Sequence, residues 1–283
     1  MENEEKKQIC EALRFFCDRA GSQNKAAAML KGVSGATLSQ ILAGKWEKIA
    51  PEMWRNVQAQ INGTSGWMIA ETRAFQTITQ VLDDAKEYAN VYAMTGCAGC
   101  GKTAAEDVFK NDHDNVYLVK CGDYWNKKTF LCELLRAMGR EASGANIGEM
   151  VADAVSACKR AEKPLIILDE VDKLADPVLY FFITLYNELE GVCGIVLMAT
   201  EYLEKRMNKG LRLGRKGYRE IYSRIGGKFL PIPSPNEYDV HLVCQANGLS
   251  SPTASAQIAR KCEGDLRRVK RMIHAEKLRR EGK

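Results

Sequence analysis

The sequence predicts an α/β protein: a parallel sheet between helices, an all-α unit ahead of it and a basic helical segment at the end. Three observations predict it. A glycine-rich loop, Gly96 to Thr103, follows an apolar strand and opens a helix. A second apolar strand, "PLIILDEVDKL" at 164–174, ends in the acids Asp169 and Glu170. The first sixty or so residues read as short helices around a glycine turn.

The 283 residues suffice for one main domain plus a small appendage. At 46% hydrophobic and 27% charged, the composition is that of an ordinary globular protein. No apolar run approaches the roughly 18 residues that a membrane helix needs. The opening "MENEEKKQIC" is charged and unlike a signal peptide, so a cytoplasmic protein is expected. Ten cysteines scattered through apolar segments suit buried thiols in a reducing compartment.

The net charge of +5 is unevenly spread. Residues 203–230 carry +7 and residues 260–283 carry +6, leaving the remainder at −8. Two basic segments on an otherwise acidic chain suit an acidic partner, most simply double-stranded DNA, or else are a solvated helix and loop. In the first segment the candidate phosphate contacts are Lys205, Arg206, Lys209, Arg212, Arg215 and Lys216.

"SQNKAAAMLKGVSGATLSQILAGKW" has an Ala-rich helix from Gln23 to Leu30, a break at Gly32, and a second helix capped by Ser34 and stopped at Ala43-Gly44. That is the grammar of a helix-turn-helix, and it resembles the small repressor-type DNA-binding domains. The resemblance implies that Ser34, Gly35, Thr37, Ser39 and Gln40 face the major groove, with Lys45 near a phosphate. No Arg or Asn is aimed at a base edge, so sequence discrimination is expected to be weak. The alternative is a helical bundle that docks on protein. The turn-rich "INGTSGW" at 61–67 marks a linker, placed at 62–70 after a helical domain at 1–61.

In "MTGCAGCGKT" two motifs overlap, a C-x-x-C pair and a phosphate-binding loop. The strand "NVYAM" before it and the helix "TAAEDVFK" after it are the context the phosphate loop requires. Backbone N–H groups from Gly96, Cys97, Ala98, Gly99, Cys100, Gly101 and Ala104 would wrap phosphate oxygens, reinforced by the positive end of the helix. Lys102 would reach the β- and γ-phosphates of ATP, and the Thr103 hydroxyl would ligate Mg2+. At the edge of the second strand Asp169 would hold the same Mg2+ and Glu170 would act as general base on water. A zinc site needs about four ligands, and neither further histidines in number nor a second C-x-x-C exists to supply them. A residual consequence of Cys97 and Cys100 is oxidation-sensitive nucleotide binding.

Further on come "GIVLMATEY" at 194–202, "EIYSRIGGKFLPIP" at 220–233 and "EGDLRRVKRMIHAEK" at 263–277. With the phosphate loop and the hhhhDE strand, this order of motifs resembles the AAA+ ATPases. The resemblance implies an AAA+ P-loop NTPase core with a parallel five-stranded sheet at 71–235 and a small C-terminal helical lid at 236–283. It also implies that Thr200 is the sensor-1 residue beside the γ-phosphate. Arg224 would be an arginine finger reaching a neighbouring subunit, and Arg267 the sensor-2 residue of the lid, with Arg268 as alternative. Arg224 is otherwise one more basic surface residue.

Within that group the N-terminal helical unit, the lead-in "ETRAFQTITQVLDDAKE", "VLM" before sensor 1 and "SRI" at the finger resemble the Mu B family of transposition target-DNA activators, related to Tn7-like and IstB-type transposon ATPases. Thr200 departs from that pattern, which has Asn. The resemblance implies a weak, phage-encoded or bacterial ATPase that forms helical filaments on DNA and works with a transposase. The rivals are a helicase-loader-type ATPase and an ATP-sensing helix-turn-helix regulator.

Overall fold

The computed structural model describes residues 3–19, 23, 26–27, 30, 32–64, 67–141 and 145–280, in two compact units, Met1–Met68 and Ile69–Lys283.

The first unit holds helices α1 (Asn3–Arg19), α2 (Gly35–Leu42) and α3 (Pro51–Thr64). Ser34 caps α2 by accepting the Thr37 N–H at 3.1 Å, as its side chain and position favour. Leu38 and Ile41 then point inward against Leu13, Leu30, Val33, Trp54, Val57 and Ile61. Each such buried side chain contributes about 1.5–3 kcal/mol. Part of the helix expected at Gln23–Leu30 lies outside the described residues, though Ala26 and Leu30 both join this core. The expected linker starts later than its turn residues suggest, because α3 continues through Asn62 and Gly63 to Thr64.

The second unit is built on a five-stranded parallel sheet in the order β2-β3-β4-β1-β5. Its chain order is α4 (Arg73–Tyr88), β1 (Val91–Thr95), α5 (Lys102–Asp112), β2 (Val116–Lys120), α6 (Lys127–Ala137), α7 (Ile147–Arg160) and β3 (Leu165–Asp169). Then come α8 (Asp176–Leu179), α9 (Phe181–Leu189), β4 (Gly194–Ala199), α10 (Glu201–Arg212), α11 (Tyr218–Arg224) and β5 (Leu230–Pro231). The strands are continuous apolar runs because both faces of the sheet are covered. Ile166, Leu168, Ile195 and Leu197 face one core, shared with Phe130, Met150, Phe182, Leu203 and Ile221. Leu165, Ile167, Val196 and Met198 face the other, shared with Ile78 and Leu82 of α4 and Phe109 of α5.

Three helices close the unit: α12 (Glu237–Ala246), α13 (Pro252–Cys262) and α14 (Leu266–Arg280). An ion pair between a half-exposed arginine and a buried carboxylate ties them to the start of α4. Asp239 accepts from the Arg73 backbone N–H at 2.9 Å and from its guanidinium at 2.9 and 3.1 Å, while Arg73 Nη2 also donates to the Ser234 carbonyl. Burial works against the Asp239 charge, but the backbone N–H groups of Arg73 and Asn236 and the guanidinium hold its carboxyl below the usual range.

No helix among the described residues is long and apolar enough to cross a membrane.

Candidate nucleotide site

Strand order assembles the site. β4 lies between β3 and β1, so the C-terminal ends of these strands stand side by side, with Thr200 between the Asp169-Glu170 end and the Gly96 loop. The Gly96 N–H donates to the Ala199 carbonyl at 3.2 Å, which fixes the root of the loop to the neighbouring strand. The loop then turns through two positive-φ glycines, Gly99 at +77° and Gly101 at +104°, where other residues would be strained. Gly101 precedes α5 and offers it no side-chain cap. The first N–H groups of α5 are thus left for an anion, with the helix dipole behind them.

Lys102 folds over the loop and donates to the carbonyls of Gly96 and Cys97, each at 2.9 Å. Thr103 Oγ1 donates to Asp169 Oδ2 at 3.3 Å, so the two expected magnesium ligands already share one point. Asp169 is 2% exposed, and its other oxygen accepts the Glu170 N–H at 2.8 Å. A buried carboxylate beside a hydroxyl at an uncapped helix start is a donor set that fits a magnesium-bound nucleotide. Glu170 itself adopts φ +57°, a strained position for a non-glycine residue that costs about 1–3 kcal/mol. Its carboxylate reaches Lys173 at 2.7 Å, one short 3-10 turn (Val171–Lys173) further on.

The two thiols of the loop differ. Cys97 is half-buried and receives a contact from Ser234 Oγ at 3.6 Å. Cys100 is buried, 3.8 Å from Lys102 Nζ; burial outweighs that charge and pushes its thiol up.

The lid meets the loop directly. Leu266 N–H donates to the Gly99 carbonyl at 2.9 Å, and a Cβ at Gly99 would stand 2.0 Å from Asp265 Oδ1. Asp265 caps α14 by accepting the Arg267 N–H at 2.8 Å. Arg268 pairs with Glu263 at 2.6 Å, whereas Arg267 is exposed on the first turn of α14 beside the loop. Arg224, at the end of α11, lies apart from these groups. Its guanidinium stacks on Tyr186 at 5.2 Å and donates twice to Asn187 Oδ1, at 3.0 and 3.3 Å.

Among the expected DNA contacts, Arg206 requires correction. It points inward, 14% exposed, donating to the carbonyls of Asp172 and Leu174 and to Tyr218 Oη and pairing with Asp176. It is a structural clamp, because α10 turns its side chain toward the core side of the helix. Lys205, Lys209 and Arg212, spaced i, i+4 and i+7, share the exposed face of α10, and Arg215 and Lys216 are exposed in the turn after it. In the first unit Ser39, Gln40 and Lys45 are exposed, while the Thr37 hydroxyl is engaged with Ser34 at 2.8 Å and Ser39 with Gln23 at 3.2 Å.

Two residues escape a reading by motif. Glu106, one turn after Thr103, is 0% exposed, with no hydrogen-bond partner for either oxygen among the described residues. Burial first, then the Asp169 charge and the hydrogen bond that a protonated Glu106 donates to Asp169, push its carboxyl up to about 9, so it is neutral at pH 7. Asp172 accepts a hydrogen bond from Thr200 Oγ1 at 2.6 Å. Its signal lay in plain view in "LDEVDKL"; for Glu106 the only signal is an acid at the apolar spacing of α5.

A family model described as an AAA domain matches residues 85–207. The chain is 25% identical over 195 residues to the "Mu-like prophage FluMu DNA transposition protein B" of Haemophilus influenzae, a match covering 66% of this chain. It spans 64% of that relative's length. A solved structure titled "Structure of Drosophila ORC bound to DNA" is similar at a TM-score of 0.47 and 16% identity, over 70% of this chain and 52% of that one. With its parallel sheet, its helical N-terminal region and its C-terminal helices, this chain has the AAA+ fold and is similar in sequence to a transposition protein B.

Proposed function

We propose that this protein is an ATPase that assembles on double-stranded DNA when ATP is bound and so prepares target DNA for a transposase. The observation that carries the reading is the convergence of the uncapped α5 N-terminus, Lys102, and the Thr103–Asp169 pair at one sheet edge. The name of the similar transposition protein supports the DNA side of it.

In this reading the loop backbone and Lys102 bind the triphosphate, Thr103 and Asp169 hold Mg2+, and Glu170 accepts a proton from the attacking water. Magnesium, when bound, offsets charge on the transferring phosphoryl group. Lys173 holds Glu170 on the adjacent turn, a position from which it is released as water and nucleotide enter. Arg267 reaches the nucleotide from the lid. Arg224, already held by Tyr186 and Asn187, reaches the nucleotide of a neighbouring protomer. Head-to-tail contacts of that type, with a rotation that does not close a ring, build a helical filament.

The exposed Lys205, Lys209 and Arg212 of α10 contact phosphates and not bases, which makes binding salt-sensitive and sequence-tolerant. Hydrolysis then releases the assembly.

Sedimentation with random-sequence duplex under ATP, ADP and no nucleotide, with Lys102→Ala alongside, tests this. Large complexes should form with ATP alone and be absent in the variant. Small, nucleotide-independent complexes on one preferred sequence would instead indicate a regulator driven by its N-terminal unit.

A further inference from the structure

The hydroxyl of Thr200 has one proton, and that proton has a definite destination. Thr200 Oγ1 donates to Asp172 Oδ2 at 2.6 Å and accepts, at 3.4 Å, the Tyr202 N–H at the start of α10. Asp172 is itself anchored. Its main-chain carbonyl accepts from Arg206 Nη1 at 3.3 Å, and the same nitrogen donates to the Leu174 carbonyl at 2.8 Å. The other arm of that guanidinium pairs with Asp176, which also accepts from Tyr218 Oη at 2.9 Å. The turn from Glu170 to Lys173 is thereby clamped from α10, with Thr200 facing it from the end of β4.

We propose that Asp172 is a positioning residue that fixes the hydrogen-bond polarity of Thr200. With its proton committed to the carboxylate, Thr200 presents a lone pair toward the nucleotide edge. It therefore accepts a hydrogen bond from the attacking water and does not donate one to phosphate. An amide at this position would carry N–H donors of its own; a threonine free to rotate would offer either polarity. Asp172 removes the choice.

This inference rests on the ATPase reading above and deepens it. The attacking water has two protons. One hydrogen-bonds to Glu170 and is transferred to it as the water oxygen bonds to the γ-phosphorus and the bond to the β–γ bridging oxygen breaks. The other stays on the new phosphate and is the one Thr200 holds. With both protons directed to acceptors, a lone pair of the water faces phosphorus, and the entropy of orienting it is met before reaction. A group that acts only on the oriented water alters kcat and leaves ATP affinity nearly unchanged.

The test uses full-length Asp172→Ala, Asp172→Asn, Thr200→Val and the Ala/Val double variant, with Lys102→Ala as the background. Asp172→Ala should lower kcat about tenfold or more with the KM for ATP held within about twofold. Asp172→Asn keeps an acceptor oxygen in the same place and should recover most of the rate. The double variant should be no slower than the slower single variant, because the two groups act as a unit. In the nucleotide-free protein, amide exchange at Tyr202 should quicken in Asp172→Ala and Thr200→Val alike.

Losses that multiply, a change confined to KM, or an Asp172→Asn as slow as Asp172→Ala would each overturn the assignment. So would an unchanged Tyr202 amide. Wild-type hydrolysis no faster than Lys102→Ala would overturn the ATPase reading together with this one, whereas multiplying losses on a real activity overturn this one alone.

Discussion

Arg206 and Lys209 stand three residues apart on α10 and do opposite things. Arg206 is committed to Asp176, Tyr218 and two carbonyls, whereas Lys209, only about 60° further round the helix, is exposed. Charge counting along a segment treats them alike. What separates them is only about 60° of helix rotation, with the edge of the core falling between them. A basic segment is thus not a binding surface as a whole; it is a surface on one face and a clamp on the other.

Glu106 sharpens the contrast by adding a third condition, a carboxyl buried with no hydrogen-bond donor beside it among the described residues and the Asp169 carboxylate as its polar neighbour. Its carboxyl is raised from about 4.5 to about 9, so the folded state favours the protonated form. The stability this represents is fully present below pH 4.5 and is lost as pH rises through the window up to about 9. Glu106→Gln cannot ionise and escapes the loss. In the nucleotide-free protein, the gap in unfolding free energy between variant and wild type should therefore widen in the variant's favour by on the order of 3 kcal/mol from pH 4.5 to 7. Chemical denaturation at the two pH values reads it, and a pH-independent gap would mean that Glu106 keeps an ordinary carboxyl pKa in the folded protein.

The committed arginine comes next. Arg206→Met leaves Asp176 and Tyr218 without their cation and should destabilise the second unit by about 2–3 kcal/mol, somewhat less than for a fully buried pair because Asp176 is a third exposed. Lys209→Met should stay within about 0.5 kcal/mol. Equal melting temperatures for the two variants would break the comparison.

The smallest effect in free energy belongs to the exposed face. Reversing Lys205, Lys209 and Arg212 to Glu should weaken duplex binding about thirtyfold at fixed salt and flatten the salt dependence by about 0.9 for each phosphate that is no longer neutralised. Stability should barely move. If Arg206→Met weakened DNA binding as strongly while remaining folded, the division of the helix into two faces would be wrong.

The α/β class was legible because a phosphate loop is written in backbone terms. Gly99 and Gly101 are there for torsion angles, and Lys102-Thr103 follow at a spacing that the turn into a helix dictates. The Asp169-Glu170 pair was legible as well, since after a phosphate loop an apolar run ending in acids reads as a second strand reaching the sheet's wet edge. What could not be read is direction. Nothing in "EYLEKRMNKGLR" says which arginine turns inward, and in "TAAEDVFK" only the apolar spacing hints that the glutamate faces the sheet. The Thr200–Asp172 bond joins groups 28 residues apart, and its geometry depends on β3 and β4 being neighbours, which sequence order alone does not give. The continuation of α3 through Asn62-Gly63 shows the converse, a helix running on through weak helix formers.

The bond between Leu266 and Gly99 has a practical side for anyone dividing this protein into modules. The stretch that matches an AAA domain ends at residue 207, some sixty residues before the N–H that completes the Gly99 turn. A fragment cut at that boundary would carry every letter of the phosphate-loop motif, yet its loop would lack the Leu266 bond and the Asp265 carboxylate packed against it. It would also be without β5 and with it the edge partner of β1. The smallest portable nucleotide-binding piece of this chain therefore extends from the Arg73 anchor into α14, and swapping lids between relatives means swapping the residue opposite Gly99 as well.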